Sequence, residues 1–192
     1  MSDASPSSTD PEARPQPTGG SGLDGKEKDP PSSNQSLLFE RIRGGKLCIK
    51  CCVLERMKSF AEEGPRTPEA GGVLMGRYIK DTRDVIVDDI TVPEAGDVQS
   101  LHHFFRAHEQ HQEKLERAWE RSGQTCTYLG EWHTHSEPNP SPSNVDRSEW
   151  RRKLITDNFG SHLFFVIVGT ESTHAWEGKQ HGTRVHQLST DG

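Results

Sequence analysis

Residues 130–150 read GEWHTHSEPNPSPSNVDRSEW, and this stretch leads from a predicted strand through a proline-rich loop into a predicted helix. Side chains two positions apart in a strand project from the same face, so His133 and His135 point their imidazoles to one side. Asp146 enters from the start of the helix and adds a carboxylate oxygen. Three protein ligands leave the fourth position of a tetrahedral zinc ion open, which is typical of a catalytic site. The stretch therefore predicts a catalytic zinc centre.

A zinc ion held in this way lowers the pKa of its bound water to about 7 and polarises a carbonyl group. A general base must still take the proton of that water, and a donor must hold the oxyanion that forms. Ser143 precedes Asp146 by three residues and is placed to donate a hydrogen bond to the oxyanion. The pattern therefore also predicts a catalytic serine.

The chemistry of a helix N-terminus offers another interpretation of the same residues. Ser143 is a good N-cap with an acid in the first turn, and Ser141 followed by Pro142 is an equally good start. Asp146 would then be only a favourable charge at the helix dipole. A His-x-His pair alone is weak support for metal. The whole array His-x-His-x7-Ser-x2-Asp, with a strand before it and a helix after it, is improbable by chance.

The composition indicates one folded domain behind a long polar segment. The chain has 192 residues, and its hydrophobic fraction of 30% is low. Residues 1–36 are half Gly, Pro and Ser, and Leu23 is their only large aliphatic residue after Met1. Such a segment cannot bury enough apolar surface to offset its ordering entropy. We therefore predict a disordered tail over residues 1–36 and a folded domain over 37–192.

Charge and hydropathy exclude several classes of protein. A net charge of −6 without a basic stripe argues against a nucleic-acid partner. The longest apolar run, HLFFVIVG, is far shorter than the roughly 20 residues of a membrane span. No basic patch followed by an apolar segment opens the chain, so no signal peptide is predicted and the cytoplasm is the expected location.

Four cysteines, Cys48, Cys51, Cys52 and Cys126, could suggest a metal or redox site. Cys48 falls in a predicted strand, and Cys51 and Cys52 open a predicted helix. No second cysteine pair lies at zinc-finger spacing. We expect reduced, buried cysteines that act as small apolar residues.

The alternation of apolar residues predicts an α/β fold with a mixed sheet and flanking helices. Predicted strands cover 46–50, GGVLMGRYIK (71–80), DVIVDDITV (84–92), CTYLGEWHTH (126–135), HLFFVIVG (162–169), and the edge strands HAWEG (174–178) and TRVHQL (183–188). Predicted helices cover 51–63, 102–121 and 144–157, and residues 93–101 are predicted to form a loop. Trp132, Trp150 and Leu154 are expected to face the core.

One face of the helix 102–121 carries Phe104, His108, His111, Leu115 and Trp119. His108 and His111 share that face, where they form a polar edge or contact a substrate. Four later histidines are scattered among strands and are expected to be surface or packing residues: His162, His174, His181 and His186.

The array of His133, His135, Ser143 and Asp146 resembles the JAMM motif of the MPN (JAB) metalloproteases, which hydrolyse peptide and isopeptide bonds behind ubiquitin or ubiquitin-like tails. That family also uses a glutamate shortly before a Gly-Gly-x-Leu-x-Gly strand, and PEAGGVLMG supplies Glu69 here. The resemblance covers residues 45–190. It implies the MPN (JAB, cytidine-deaminase-like) fold and a Zn²⁺ cofactor.

The resemblance assigns the metal to His133, His135 and Asp146. It implies that Glu69 is the general acid and base and that Ser143 stabilises the tetrahedral intermediate. From the residues alone Glu131 competes for the base, because it shares strand parity with the histidines.

Two features near the motif have open interpretations. Ser136 replaces a proline that many members of the family carry, which puts the geometry of the loop in doubt. Gly71 and Gly72 either mark a tight strand entry or let a substrate backbone approach closely.

Within this family the chain resembles most the bacterial isopeptidases of CBASS anti-phage operons. The resemblance implies that it cleaves after the C-terminal tail of a conjugated CD-NTase, a cyclic oligonucleotide synthase. A peptidase of a bacterial ubiquitin-like conjugation operon is the alternative, with a ubiquitin-like tail as partner. Two further classes stay open: a metal-free MPN scaffold, and a zinc amidase that acts on a small molecule.

Overall fold

A computed structural model describes residues 35–61, 68–100, 103–105, 108–157 and 160–190. The strands are β1 (Leu37–Glu40), β2 (Lys46–Ile49), β3 (Gly71–Tyr78), β4 (Val85–Ile90), β5 (Val98–Ser100), β6 (His103–Phe105), β7 (Thr127–Thr134), β8 (His162–Val168), β9 (Thr173–Lys179), β10 (Val185–Gln187) and β11 (Ser189–Thr190). The helices are α1 (Cys51–Lys58), α2 (His108–Arg121) and α3 (Asn144–Thr156). The predicted tail lies outside the described residues except for Gln35 and Ser36. Within those ranges no helix has the length and apolar character that a membrane crossing requires.

A nine-stranded sheet organises the domain in the order β10-β9-β8-β7-β3-β4-β2-β1-β11. β7 and β8 are parallel, as are β2 and β4, and the other neighbours are antiparallel. The sheet is therefore mixed, and the described part of the chain adds three helices to it, which confirms the predicted fold class. The strands predicted at 71–80 and 84–92 are observed as β3 and β4, which pair with each other as an antiparallel hairpin.

Strand β8 is buried on both of its faces. Phe164, Val166 and Val168 belong to one apolar cluster of the core, and Leu163, Phe165 and Ile167 belong to a second. Because successive side chains of a strand point to opposite faces, the sheet separates the two clusters. Helix α3 covers the second cluster with Trp150, whose ring stacks on Phe165 at a centroid distance of 4.7 Å, and with Leu154. The inward positions predicted for these two residues are confirmed.

The last described strands close the sheet on itself. β10 pairs with β9, the adjacent β11 pairs with β1, and the intervening Leu188 donates its N–H to the carbonyl of Ala175 at 2.9 Å. An ion pair of 2.6 Å between the buried side chains of Arg41 and Glu177 lies beside this junction. Strand β9 therefore has neighbours on both sides, and its prediction as an edge strand was wrong.

Residues 93–105 differ from the prediction. β5 and β6 form a two-stranded sheet in which Val98 pairs with Phe105, and α2 begins only at His108. Phe104 therefore lies in a strand and not on the helix, because the aromatic pair at 104–105 has high strand propensity and finds a partner in β5. On α2 Leu115 is buried as expected, whereas Trp119 is 42% exposed.

Helix α1 is shorter than predicted, and β1 was missed. After Lys58 the chain forms tighter turns, with the N–H of Phe60 bonded to the carbonyl of Met57 and that of Ala61 to Lys58. Phe60 still packs on Trp132 at a ring distance of 5.9 Å, so its apolar spacing reflects burial rather than a continued helix. β1 has only four residues, too few for a periodic signal.

The cysteines match the expectation in part. Cys48 lies in β2, Cys51 begins α1, and no disulfide joins any two of the four cysteines. Cys126 is buried, but Cys52 is exposed, because it points away from the apolar face of α1. Burial raises the pKa of the Cys126 thiol, which disfavours its reactive thiolate form.

Candidate metal centre

The two histidines of the motif meet as their spacing predicts. His133 is the next to last residue of β7, and His135 continues the strand by donating its N–H to the carbonyl of Val168 at 3.0 Å. The two Nε2 atoms lie 3.1 Å apart. Trp132 faces the opposite side, is 1% exposed, and donates its indole N–H to the carbonyl of Thr91 at 2.9 Å. The strand thus separates the face that carries the two histidines from the core.

Asp146 reaches both histidines from the first turn of α3. Its Oδ1 lies 3.4 Å from Nε2 of His133, and its Oδ2 lies 3.6 Å from Nε2 of His135. All three side chains are 11–12% exposed, so the cluster is mostly enclosed but open on one side.

Glu69 is positioned directly before β3 by main-chain hydrogen bonds. Its N–H donates to the carbonyl of Ser100 at 2.8 Å, which ties it to β5. Its neighbour Ala70 is bonded twice to Thr134, the residue between the two histidines, at 2.8 and 2.9 Å. The Oε1 atom of Glu69 consequently lies 3.6 Å from Nε2 of His135, in a side chain that is only 8% exposed.

The donor set fits a tetrahedral metal ion. Zinc bonds of about 2.0–2.1 Å place neighbouring tetrahedral ligand atoms roughly 3.3 Å apart. The separations here are 3.1 Å between the two imidazoles and 3.4 and 3.6 Å from them to Asp146. Glu69 also forms a metal-capable group with His133 and His135, whose ligand atoms lie within 4.8 Å of one another. Geometry alone therefore admits either carboxylate as the third ligand.

Glu137 is part of the site, although nothing in the sequence analysis singled it out. Its Oε1 accepts a hydrogen bond from Nδ1 of His135 at 3.1 Å and another from the N–H of Ser141 at 2.8 Å. A proton on Nδ1 leaves Nε2 of His135 free as a ligand, since the tautomer is set by the bond that the other nitrogen makes. The signal that could have found Glu137 is its position two residues after His135.

The motif loop is held in place despite Ser136. The carbonyl of Glu137 accepts the N–H of Thr170 at 3.0 Å, and the carbonyl of Pro140 lies 2.9 Å from Nδ1 of His174. A side chain at Gly169 would clash with the Glu137 carbonyl, so the loop packs directly on the turn after β8. These bonds fix the loop without the proline that the family pattern carries.

Ser143 is the N-cap of α3. Its hydroxyl accepts the N–H of Asp146 at 3.1 Å and donates to Oδ2 of Asp146 at 2.7 Å, while its own N–H donates to the same oxygen at 2.7 Å. This reciprocal arrangement is a capping box. The capping interpretation of Ser143 is thus confirmed, and Ser141 is not the cap. The same bonds orient the Asp146 carboxylate towards the histidines.

Glu131 is held by another element. Its carboxylate lies 2.7 Å from Nζ of Lys153 on α3, and both side chains are mostly buried. Glu69, by contrast, lies within the group that surrounds His133 and His135. Glu69, and not Glu131, is therefore the carboxylate that groups with the two histidines.

The electrostatics of the site favour ionised Asp146. Burial alone would raise its pKa, but hydrogen bonds from His133, His135 and Ser143 hold the pKa of Asp146 well below its ordinary value. Burial likewise opposes the charge of His135, yet hydrogen bonds to Asp146 and Glu137 and the nearby charge of Glu69 raise the pKa of His135. The carboxylates of Asp146, Glu69 and Glu137 therefore create a negative potential around the two histidines, which favours the binding of a cation.

A buried polar network supports the strands behind the centre. His111 of α2 is fully buried, with Nδ1 bonded to the hydroxyl of Thr91 and Nε2 3.1 Å from Asp97. The expectation of a polar edge or substrate contact for His111 was therefore wrong. The hydroxyl of Thr91 in turn accepts a hydrogen bond from the N–H of Val73. The carbonyl group of Thr91 lies so close to Gly72 that any side chain there would clash with it. Gly72 thus permits close internal packing of β3.

Comparison with known proteins identifies the class to which this fold and site belong. A family model described as prokaryotic homologs of the JAB domain matches residues 53–179, which is more than half of the chain. The chain belongs to this family, which confirms the resemblance drawn from the motif.

Three similar proteins share the name CD-NTase/cGAS isopeptidase. The one from Vibrio cholerae serotype O1 is 38% identical over 148 residues, covering 77% of this chain and 90% of the relative. The one from Pseudomonas aeruginosa is 38% identical over 121 residues, covering 63% of this chain and 75% of the relative. A solution structure of a Desulfitobacterium hafniense protein has a TM-score of 0.50 at 21% identity, covering 72% of this chain and 87% of that one. At that identity the structural likeness concerns the fold alone.

Proposed function

We propose that this chain is a cytoplasmic, zinc-dependent isopeptidase. It would cleave after the C-terminal tail of a conjugated CD-NTase and thereby reverse a ubiquitin-like conjugation in a CBASS anti-phage system. The observation that carries the proposal is the convergence of His133, His135 and Asp146 at 3.1–3.6 Å, with the Glu69 carboxylate beside them. The shared name of the relatives supports the substrate.

The residues proposed to hold zinc are His133, His135 and Asp146. The ion, when bound, supplies a Lewis acid that activates water and polarises a carbonyl. Glu69 is proposed to take the proton of the attacking water at its carboxylate and to deliver it to the leaving amine. Its low exposure keeps bulk water from competing for that proton.

Ser143 is proposed to donate a hydrogen bond to the oxyanion that forms at the scissile carbonyl. Its hydroxyl donates to Asp146 in this structure, so the proposed role requires the hydroxyl to rotate towards the substrate. The N–H of Ser143 remains bonded to Asp146 and can keep the carboxylate aligned during that rotation.

A cleavage assay tests the proposed substrate. The protein is incubated with a fusion in which a CD-NTase C-terminus precedes a reporter protein, and the products are analysed by mass spectrometry. We expect a single cut directly after the last residue of the CD-NTase tail, and we expect the metal chelator EDTA to abolish it. A parallel fusion to a bacterial ubiquitin-like protein tests the alternative substrate.

The outcomes separate the classes of function. Cleavage of only the ubiquitin-like fusion would assign the chain to the other type of operon. A protein that binds the CD-NTase tail without zinc and without cleavage would support an MPN scaffold, and hydrolysis of small amides alone would support an amidase.

The contact between Glu137 and His135 predicts an effect on metal affinity. Replacing Glu137 by glutamine removes the negatively charged carboxylate that is hydrogen-bonded to Nδ1 of His135. Loss of such a partner typically weakens metal binding by about 10–100-fold. Zinc affinity is measured by competition with a chromogenic chelator. Glu149→Gln is the matched control, because Glu149 pairs with Arg152 on the outer face of α3. An unchanged affinity in Glu137→Gln would contradict the orienting role.

The raised pKa of His135 predicts how zinc affinity depends on pH. Only the neutral imidazole binds metal, and a raised pKa means that the proton is retained to higher pH than in an ordinary histidine. Zinc affinity should therefore fall as the pH drops through that pKa, by about tenfold per pH unit for one proton. Asp146 stays ionised throughout because its pKa is lowered. Chelator competition between about pH 8 and 5.5 measures this; a flat profile would contradict it.

A further inference from the structure

A cavity of about 320 Å³ lies far from the metal centre, between the turn after β1 and the connection from β9 to β10. His162, the first residue of β8, lines it, whereas Ile167 of the same strand pairs with His133. Five residues of strand separate these positions by about 17 Å. The cavity is therefore separate from the proposed catalytic site.

The wall of this cavity is positively charged in a chain whose net charge is −6. Arg43, Lys179 and Arg184 contribute three cations, and none of them forms an ion pair with an acidic residue in the described ranges. His162 and His186 add two imidazoles. Like charges gathered in a concave wall focus a positive potential and attract an anion.

Glu177 distinguishes the cavity from ordinary surface charge. It is 4% exposed and lines the cavity, and its Oε1 is held by Arg41 at 2.6 Å. Its Oε2 is buried and has no hydrogen-bond partner among the described residues. A buried carboxylate oxygen without a donor is costly, so a bound molecule that donates to Oε2 would be stabilised.

A second hollow of about 200 Å³ also borders residues 183–186 and shares Thr183, Arg184 and His186 with the first. Helix α3 contributes Arg147 and Arg151 to it. The positive surface therefore continues past the strand β10, and a ligand with a second anionic group would find a cation there.

We propose that the cavity binds a small phosphorylated metabolite that also carries a hydrogen-bond donor, of about the size of a nucleoside monophosphate. The phosphate contacts Arg43, Lys179 and Arg184, for which charge-assisted hydrogen bonds to phosphate oxygens are favourable. A hydroxyl or amino group of the ligand donates to Oε2 of Glu177 once that carboxylate has turned towards the cavity. The volume of about 320 Å³ lies at the lower end of the range for small-molecule sites.

The test is calorimetric titration of the full chain with inorganic phosphate, ribose 5-phosphate and GMP at low ionic strength. We expect at least one of the two organic phosphates to bind about tenfold tighter than inorganic phosphate, because only they carry a hydroxyl or amino donor outside the phosphate group, which can reach Glu177 while the phosphate stays on the cations. Tighter binding of ribose 5-phosphate identifies a hydroxyl as the donor, and tighter binding of GMP alone identifies the base. Failure of all three to bind, or equal affinities for all three, would overturn the proposal.

Variants locate the bound ligand. Arg43→Gln and Arg184→Gln should each weaken binding by about tenfold or more, whereas Arg117→Gln, an exposed arginine paired with Glu113 on α2, should leave it unchanged. Asp146→Ala should also leave binding unchanged, which excludes phosphate at the metal centre. Wild-type affinity in a folded Arg43→Gln and Arg184→Gln double variant would overturn the assignment.

Discussion

Replacing Glu69 by glutamine is expected to leave one zinc ion bound per chain and to slow cleavage by about 10²–10⁴-fold. The amide keeps the size of the side chain but cannot accept the proton of water. Zinc should remain because His133, His135 and Asp146 are untouched, and their separations already match a tetrahedral set. Zinc content by elemental analysis and the rate of cleavage of the CD-NTase fusion measure the two effects.

Glu131→Gln is the matched control for this variant. Glu131 lies on the same strand as the histidines and shares their parity, but its carboxylate pairs with Lys153. The Glu131→Gln variant should cleave the CD-NTase fusion at nearly the wild-type rate. If Glu131→Gln were the inactive variant and Glu69→Gln the active one, Glu131 would be the base. If Glu69→Gln lost its zinc, Glu69 would be a ligand, as the geometry of the group also permits.

Replacing Asp146 by alanine is expected to abolish both zinc binding and cleavage. Loss of a mere orienting partner weakens metal binding by about 10–100-fold, and loss of a ligand must exceed that. The remaining imidazoles would lose the charge that both of them face at 3.4 and 3.6 Å. Zinc content and cleavage should therefore fall together, which separates this variant from Glu69→Gln.

Asp146 also belongs to the capping box of α3, so its loss affects folding as well. Loss of a cap costs about 0.5–2 kcal/mol, which a thermal melt of the metal-free protein detects. Asp146→Asn retains an acceptor for the N–H of Ser143 but lacks the charge. A stable, zinc-free Asp146→Asn would show that metal loss does not follow from unfolding, whereas a fully active, zinc-bound Asp146→Ala would contradict the ligand assignment.

Residues on one local element were predictable from the sequence. Strand parity alone places His133 beside His135 and Trp132 in the core, and the cap pattern places Asp146 in the first turn of α3. Glu69 was found only through the family resemblance. The approach of Glu69 to the histidines depends on the pairing of β3 with β7 and on the two hydrogen bonds between Ala70 and Thr134. Such contacts join segments that are distant in sequence, and periodicity carries no information about them.

The wrong predictions concern residues whose structure depends on contacts with segments that are distant in the sequence. His111 looked like part of a polar helix edge, but Thr91 and Asp97 give it partners inside the protein. Phe104 matched the helical spacing, yet pairing with β5 placed it in a strand. The strand at 174–178 looked like an edge because β10, the strand that pairs with it, has only three residues.

The closure of the sheet by residues 185–190 has a consequence for synthesis. The N-terminal part of a chain emerges first from the ribosome. Strands β1 and β9 therefore both emerge before residues 185–190, which pair with them. Until that segment is free of the exit tunnel, two strands offer unpaired main-chain groups to other nascent chains. Protection from mispairing thus depends on residues 185–190, and a chain truncated before residue 185 would be prone to aggregate.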